Sequence, residues 1–174
     1  NASVMKKLFP GAIRVEAVDE VDGRTKADKR RAVDAVLKID KLGDSRNTAD
    51  LEKSLILSEG VRIMLRKNIN TAKGLVNGAM GIVKQIVRQS DDPKSIVEKL
   101  VVQFDGVDGD VEITREARKV KLFEESYLHR RQFPISTGYA LTIHKAQGMS
   151  LSHVFCDLGS MIFATGQIYV ALSR

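Results

Sequence analysis

This 174-residue chain has no tryptophan, only 5% aromatic residues, three prolines, three histidines and one cysteine. Scarce aromatics leave the core to aliphatic side chains and leave few rings on which bases could stack. One cysteine, Cys156, cannot close an internal disulfide; within the apolar run Val154 to Leu158 it reads as a buried structural thiol. His129, His144 and His153 fall at no metal-ligand spacing, so no metal site is expected. No window reaches the roughly 18 apolar residues of a membrane span, and the first residues do not read as a signal peptide. An intracellular, reducing setting without a membrane partner is therefore expected. The Gly-x-x-x-x-Gly-Lys-Ser/Thr phosphate loop is also missing. Gly74 to Gly81 is glycine-rich, but it lacks the Lys-Ser/Thr ending and does not open a helix, which excludes it as a phosphate cradle. Asp91-Asp92 and the Asp105 to Asp110 loop lack the full calcium-loop pattern and read as turns.

What is present is an ordinary globular composition, 43% hydrophobic and 29% charged. Twenty-eight Lys and Arg against 22 Asp and Glu leave a formal charge of +6. That balance fits a polyanionic partner, and it fits a solvated basic surface as well.

The hydrophobic pattern changes along the chain. Ala2 to Leu8 can end a helix, stopped by Pro10-Gly11, and Ala12 to Ala17 alternates as a half-buried strand does. Asp19 to Asp50 is rich in charge; within it Lys26 to Lys41 has Val33, Val36 and Leu37 at helical spacing and reads as a surface helix or a variable insertion. From Leu51 the texture becomes β: Val61, Ile63 and Leu65 alternate with Arg62, Met64 and Arg66. Further strands are expected at Ile82 to Val87, Lys99 to Phe104, Val111 to Thr114 and Lys119 to Phe123, joined by turns such as Asn77-Gly78 and Asp105-Gly106. Close-spaced short strands predict a small antiparallel barrel over residues 51–132. In the last segment Gly138 to Gln147 and Gly166 to Ser173 read as helices, and Val154 to Leu158 as a buried parallel strand. The expected fold class is α/β: one α/β domain in two pieces, residues 1–50 and 133–174, interrupted by the barrel.

Three stretches carry a family resemblance. They are Gly60 to Asn68 with Gly74 to Gly81; Pro134-Ile135, Tyr139-Ala140 and Thr142 to Leu151; and Gln167 to Arg174. The second and third resemble the fifth and sixth motifs of superfamily-one DNA helicases, most closely the PIF (petite integration frequency) family. Tyr139 stands where many relatives carry Trp. The resemblance implies a second RecA-like helicase domain, of the phosphate-loop NTPase type but without the loop itself, interrupted by a small barrel like the Src-homology-three fold. It implies a motor that hydrolyses ATP with Mg2+, moves 5′ to 3′ on single-stranded DNA and unwinds forked duplex. Roles in DNA repair, recombination or telomere maintenance go with it, in the nucleus or the mitochondrion. The phosphate loop and magnesium ligands are expected on a first RecA-like domain of the same polypeptide, preceding Asn1.

By the same resemblance, Arg174 is the arginine finger and the expected catalytic residue, and it also contacts nucleotide. Gln147, Gly148, Ser150 and Gln167 face the nucleotide. Thr142, His144 and Lys145 contact the DNA backbone, with Asn68 and Asn77 beside the strand's exit path, where Arg66, Lys67 and Lys73 could join them. The chemistry suits the residue types: hydroxyl, imidazole and ammonium donors grip phosphates without reading sequence. A guanidinium stabilises charge on a transferring phosphoryl group. Two alternatives stay open here: a helicase-derived single-strand-binding module without catalysis, and the helicase region of a mobile-element protein.

Overall fold

A computed structural model describes residues 7–42, 48, 50–90, 92, 95–148, 153–159 and 166–173, without the side chains of Leu42, His144 and Lys145. The chain divides into two compact units, Asn1–Thr137 and Gly138–Arg174.

The first unit is mostly antiparallel β-sheet. Strand β1 (Ile13–Glu16) pairs with β3 (Ser54–Leu57). Five strands form the largest sheet: β4 (Arg62–Leu65), β5 (Met80–Arg88), β6 (Val97–Phe104), β7 (Asp110–Thr114) and β10 (Ile135–Thr137), in the order β10-β4-β5-β6-β7. A third sheet sets β9 (Ser126–Gln132) between β2 (Val18–Asp22) and β8 (Glu116–Phe123). Helix α1 (Lys26–Leu42) packs on this last sheet. Thr25 starts the helix: its backbone N–H and hydroxyl both donate to Asp28 Oδ2, and its Oγ1 accepts from the Asp28 N–H, so a terminal donor is satisfied locally.

The core is aliphatic, as few aromatics require. Leu55, Leu57, Val61, Ile63, Leu65, Val83, Leu100, Val102 and Ile135 are fully buried, with Phe104 and Phe133 as the large rings among them. The alternation at residues 61–66 buries Ile63 and Leu65 and leaves Arg62 half-exposed, as expected; Met64, on the outward parity, is buried too.

The acidic run 18–22 and the basic run 126–132 are strands, although their composition reads as loop. Each supplies the other's counter-charge. Arg130, on the helix-facing side of β9, is 1% exposed and meets Asp19 from β2.

In the second unit, regular structure is shorter than the sequence pattern predicts. Helix α2 spans Gln167–Leu172, close to expectation. Only a 3₁₀ turn, Ile143–Ala146, forms in the span expected to be helical. Glycines at 138 and 148 flank it, and β-branched Thr142 and Ile143 disfavour a longer helix. Val154 to Leu158 is irregular and exposed rather than a buried strand, with Phe155 95% exposed. A parallel strand depends on neighbours for its backbone hydrogen bonds, and the described residues of this unit hold no other strand. Cys156 is half-buried, its Sγ 3.9 Å from the Ala171 carbonyl oxygen.

Candidate nucleic-acid and nucleotide sites

Two groups of predicted site residues fall in different units. In the first unit, the connection from β4 to β5 is a built loop. Backbone hydrogen bonds fix its two ends: Leu65 N–H to Ala79 O at 2.8 Å, and Gly78 N–H to Leu65 O at 2.8 Å. Buried Leu75 pins the middle, where its N–H reaches Asn70 O at 2.9 Å. Within the loop, Asn70 Oδ1 caps a 3₁₀ turn, Thr71–Lys73, by accepting from Lys73 N–H at 3.1 Å. Gly74 closes that turn at φ 75°, a left-handed position where a side chain would add strain. The outer rim, residues 68–74, is exposed.

Asn68 and Asn77 come together on this loop: Asn68 Oδ1 accepts the Asn77 N–H at 2.7 Å. That bond orients both residues and leaves the Asn68 amide NH₂ and the exposed Asn77 side chain as donors. The flanking cations differ. Arg66 is paired with Asp50 and Lys67 with Glu116, so both are partly neutralised. Lys73, on the exposed rim, has no carboxylate partner among the described residues.

In the second unit, the turn holding His144 and Lys145 is closed by Ala146 N–H donating to Thr142 O at 3.2 Å. Thr142, Gln147 and Gly148 are exposed around it. Gly148 takes φ 81°, which a side chain resists. Gln167 opens α2, and α2 lies against the turn. The backbone thus sets Thr142 and Gln147 at the two ends of one turn, with the helix that Gln167 opens packed against that turn. Ser150, Arg174 and the side chains of His144 and Lys145 lie outside the described residues.

The resemblance puts the magnesium ligands on a first RecA-like domain and none on this chain. No group of three or more His, Cys, Asp or Glu among the described residues could hold a metal.

Sequence reading passed over the most heavily bonded side chain in the first unit. Arg130 donates from Nε and Nη2 to the two Asp19 oxygens, each at 2.8 Å, and from Nη2 to Asp40 at 2.9 and 3.0 Å. Its Nη1 reaches the Leu51 carbonyl at 3.3 Å. Burial works against the charged forms of Asp19 and Arg130. The hydrogen bonds and opposite charges outweigh it, holding the Asp19 carboxyl below and the Arg130 guanidinium above their usual values. The available signal was period two: Ser126, Leu128, Arg130 and Gln132 share one side of β9, and all are buried.

With this geometry in view, likeness to known proteins is informative. A family profile described as DNA helicase Pif1, 2B domain, matches residues 49–86, the span of β3, β4, the built loop and most of β5. The ATP-dependent DNA helicase PIF1 of Xenopus laevis is 39% identical over 125 residues, covering 71% of this chain. The chain belongs to the Pif1 helicase family. It spans 18% of the length of the Xenopus Pif1 protein. The crystal structure of Pif1 helicase from Candida albicans matches with a TM-score of 0.67 and 26% identity, over 99% of this chain and 39% of that one. A Pif1 helicase from Bacteroides, solved with ADP-AlF3 and single-stranded DNA, shares the fold at a TM-score of 0.56 and 22% identity, over 99% of this chain and 35% of that one.

Proposed function

We propose that this chain is the second motor half of an ATP-dependent DNA helicase that translocates 5′ to 3′ on single-stranded DNA and unwinds duplex. The carrying observation is the 39% identity to a protein named an ATP-dependent DNA helicase. The motif order supports it, since the 2B match at residues 49–86 precedes the Thr142 to Gly148 and Gln167 to Arg174 motifs. The Bacteroides relative was solved with ADP-AlF3 and single-stranded DNA, and we carry both ligand classes over as ATP and DNA.

In this reading residues 1–50 and 133–174 form the second RecA-like domain. Residues 51–132 form the inserted barrel of Src-homology-three type. Thr142, His144 and Lys145 donate to DNA phosphates from one side of the turn. Gln147, Gly148, Ser150 and Gln167 approach the nucleotide from the other side. A displacement on the nucleotide side is then felt by the DNA within a single short turn. Arg174, after α2, brings a permanent positive charge to the phosphoryl group in transfer, worth on the order of 10³–10⁵ in rate. The Mg2+ ligands and phosphate loop belong to the first RecA-like domain, the partner this half closes against. Asn68 and Asn77 hold the exit path of the strand on the built loop.

The test is ATP hydrolysis and unwinding by the polypeptide carrying this chain together with a phosphate-loop domain. Single-stranded DNA should stimulate hydrolysis, and duplexes with a 5′ tail should open while 3′-tailed ones stay closed. Hydrolysis indifferent to DNA would reject the reading.

A further inference from the structure

Around the five-stranded sheet four surface cations are neutralised locally, Arg62 by Asp105, Arg66 by Asp50, Lys67 by Glu116 and Lys99 by Glu112, and exposed Lys73 and Lys84 stand apart, one on the β4–β5 loop and one on β5. The three-stranded sheet differs. Helix α1 covers the face carrying Leu128, Arg130 and Gln132. On the opposite face the strand register sets three rows: Val18, Arg131 and Ala117; Glu20, His129 and Lys119; Asp22, Tyr127 and Lys121. On the β2 edge, Asp22 is engaged by His129, whose Nε2 lies 2.8 Å from Asp22 Oδ2, and Glu20 stands opposite His129. Toward β8 the face turns basic. Lys119, Lys121 and Arg131 are exposed, and none has a carboxylate partner among the described residues.

Two further features bear on what binds there. The Lys119 ammonium sits 4.1 Å from the centroid of the Tyr127 ring and covers the aromatic of this face. Arg115 lies near Arg131, donates to the Glu16 carbonyl at 2.8 Å and stacks over Phe133 at 5.1 Å. Burial, and then repulsion from Arg131, weaken its hold on its proton. Positive charge is therefore concentrated at this end of the sheet.

We infer that this open face is a second nucleic-acid contact, holding the phosphate backbone of double-stranded DNA through Lys119, Lys121 and Arg131. The identity of the polyanion rests on the helicase reading above. Duplex is the occupant because single-strand sites pair a basic groove with free stacking rings, and the ring here is capped by a cation. Lys119 and Lys121 are two residues apart on one face of β8, about 6.8 Å at 3.4 Å per residue. Two steps along one strand of B-DNA cover about the same rise. Contacts of this kind carry no sequence information, as a moving enzyme requires.

The experiment uses the intact polypeptide and measures binding to a blunt duplex and to a single strand from about 50 to 200 mM salt. The triple variant Lys119→Gln, Lys121→Gln, Arg131→Gln should lower the log-log salt slope for duplex by about 2–3. Its single-strand affinity and single-strand-stimulated ATP hydrolysis should match the parent. Lys119→Arg with Lys121→Arg should keep the parent's duplex slope. An unchanged slope in the triple variant, an equal loss on single strands, or loss of duplex binding in the charge-preserving variant overturns the inference. If the parent shows no DNA-stimulated hydrolysis but the triple variant still loses duplex slope, the face stands and the helicase reading falls.

Discussion

Arg130 and Asp19 meet in a two-pronged ion pair, Nε to Oδ1 and Nη2 to Oδ2, both at 2.8 Å, with the arginine 1% exposed. Asp40 from α1 binds the same guanidinium, so one side chain joins β9, β2 and the helix. Removing it leaves two poorly solvated carboxylates facing each other. Arg130→Ala should therefore destabilise the first unit by about 3–5 kcal/mol, measured by urea unfolding at pH 7. Replacement by Lys, which keeps one charge but loses the fork, should recover only part of this.

The same pair sets an acid limit. Arg130 and Lys53 hold the Asp19 carboxyl below its ordinary value even though burial pushes it upward. A depressed carboxylate contributes stability in full above its unfolded pKa of about 3.9 and loses it as pH falls through the folded value. The urea midpoint of the parent should drop most steeply as pH falls below about 4. In Asp19→Asn that drop should be shallower, starting from a lower midpoint at pH 7.

Gly81 tests packing at the centre of the five-stranded sheet, where it pairs with Ile63 and Phe104 on either side. A methyl group there would meet Gln103 O at 2.8 Å, Val102 Cγ1 at 2.9 Å and Phe104 Cδ1 at 3.0 Å. Gly81→Ala should cost about 1–3 kcal/mol by overpacking, seen as a lower thermal midpoint. Gly78→Ser, in a loop with open space around it, should change core packing little but strain a φ of 98°.

Lys145 separates phosphate gripping from nucleotide contact. In the complete polypeptide, Lys145→Ala should weaken single-strand binding and reduce its salt slope by about 0.7. ATP hydrolysis without DNA should stay at the parental level. An unchanged slope would remove Lys145 from the strand.

The parts legible in sequence are those in which one local pattern fixed the structure. Alternation located β1 and β4, and helical spacing of Val33, Val36 and Leu37 located α1. Motif order pointed to the family. The illegible parts depend on partners distant in sequence. Asp19 and Arg130 are 111 residues apart, so neither reveals its burial alone. Lys67 looks like a phosphate ligand until Glu116 is found beside it. Val154 to Leu158 has the composition of a buried strand, but burial needs a neighbouring strand, and the described residues of its unit hold none.

Arg174 is where the account can be tested most directly. In the polypeptide containing both RecA-like domains, Arg174→Ala should slow single-strand-stimulated ATP hydrolysis by about 10³–10⁵, or about 4–7 kcal/mol of barrier, with single-strand affinity retained. Hydrolysis at the parental rate would contradict the assignment of this chain as the half that completes the ATP site.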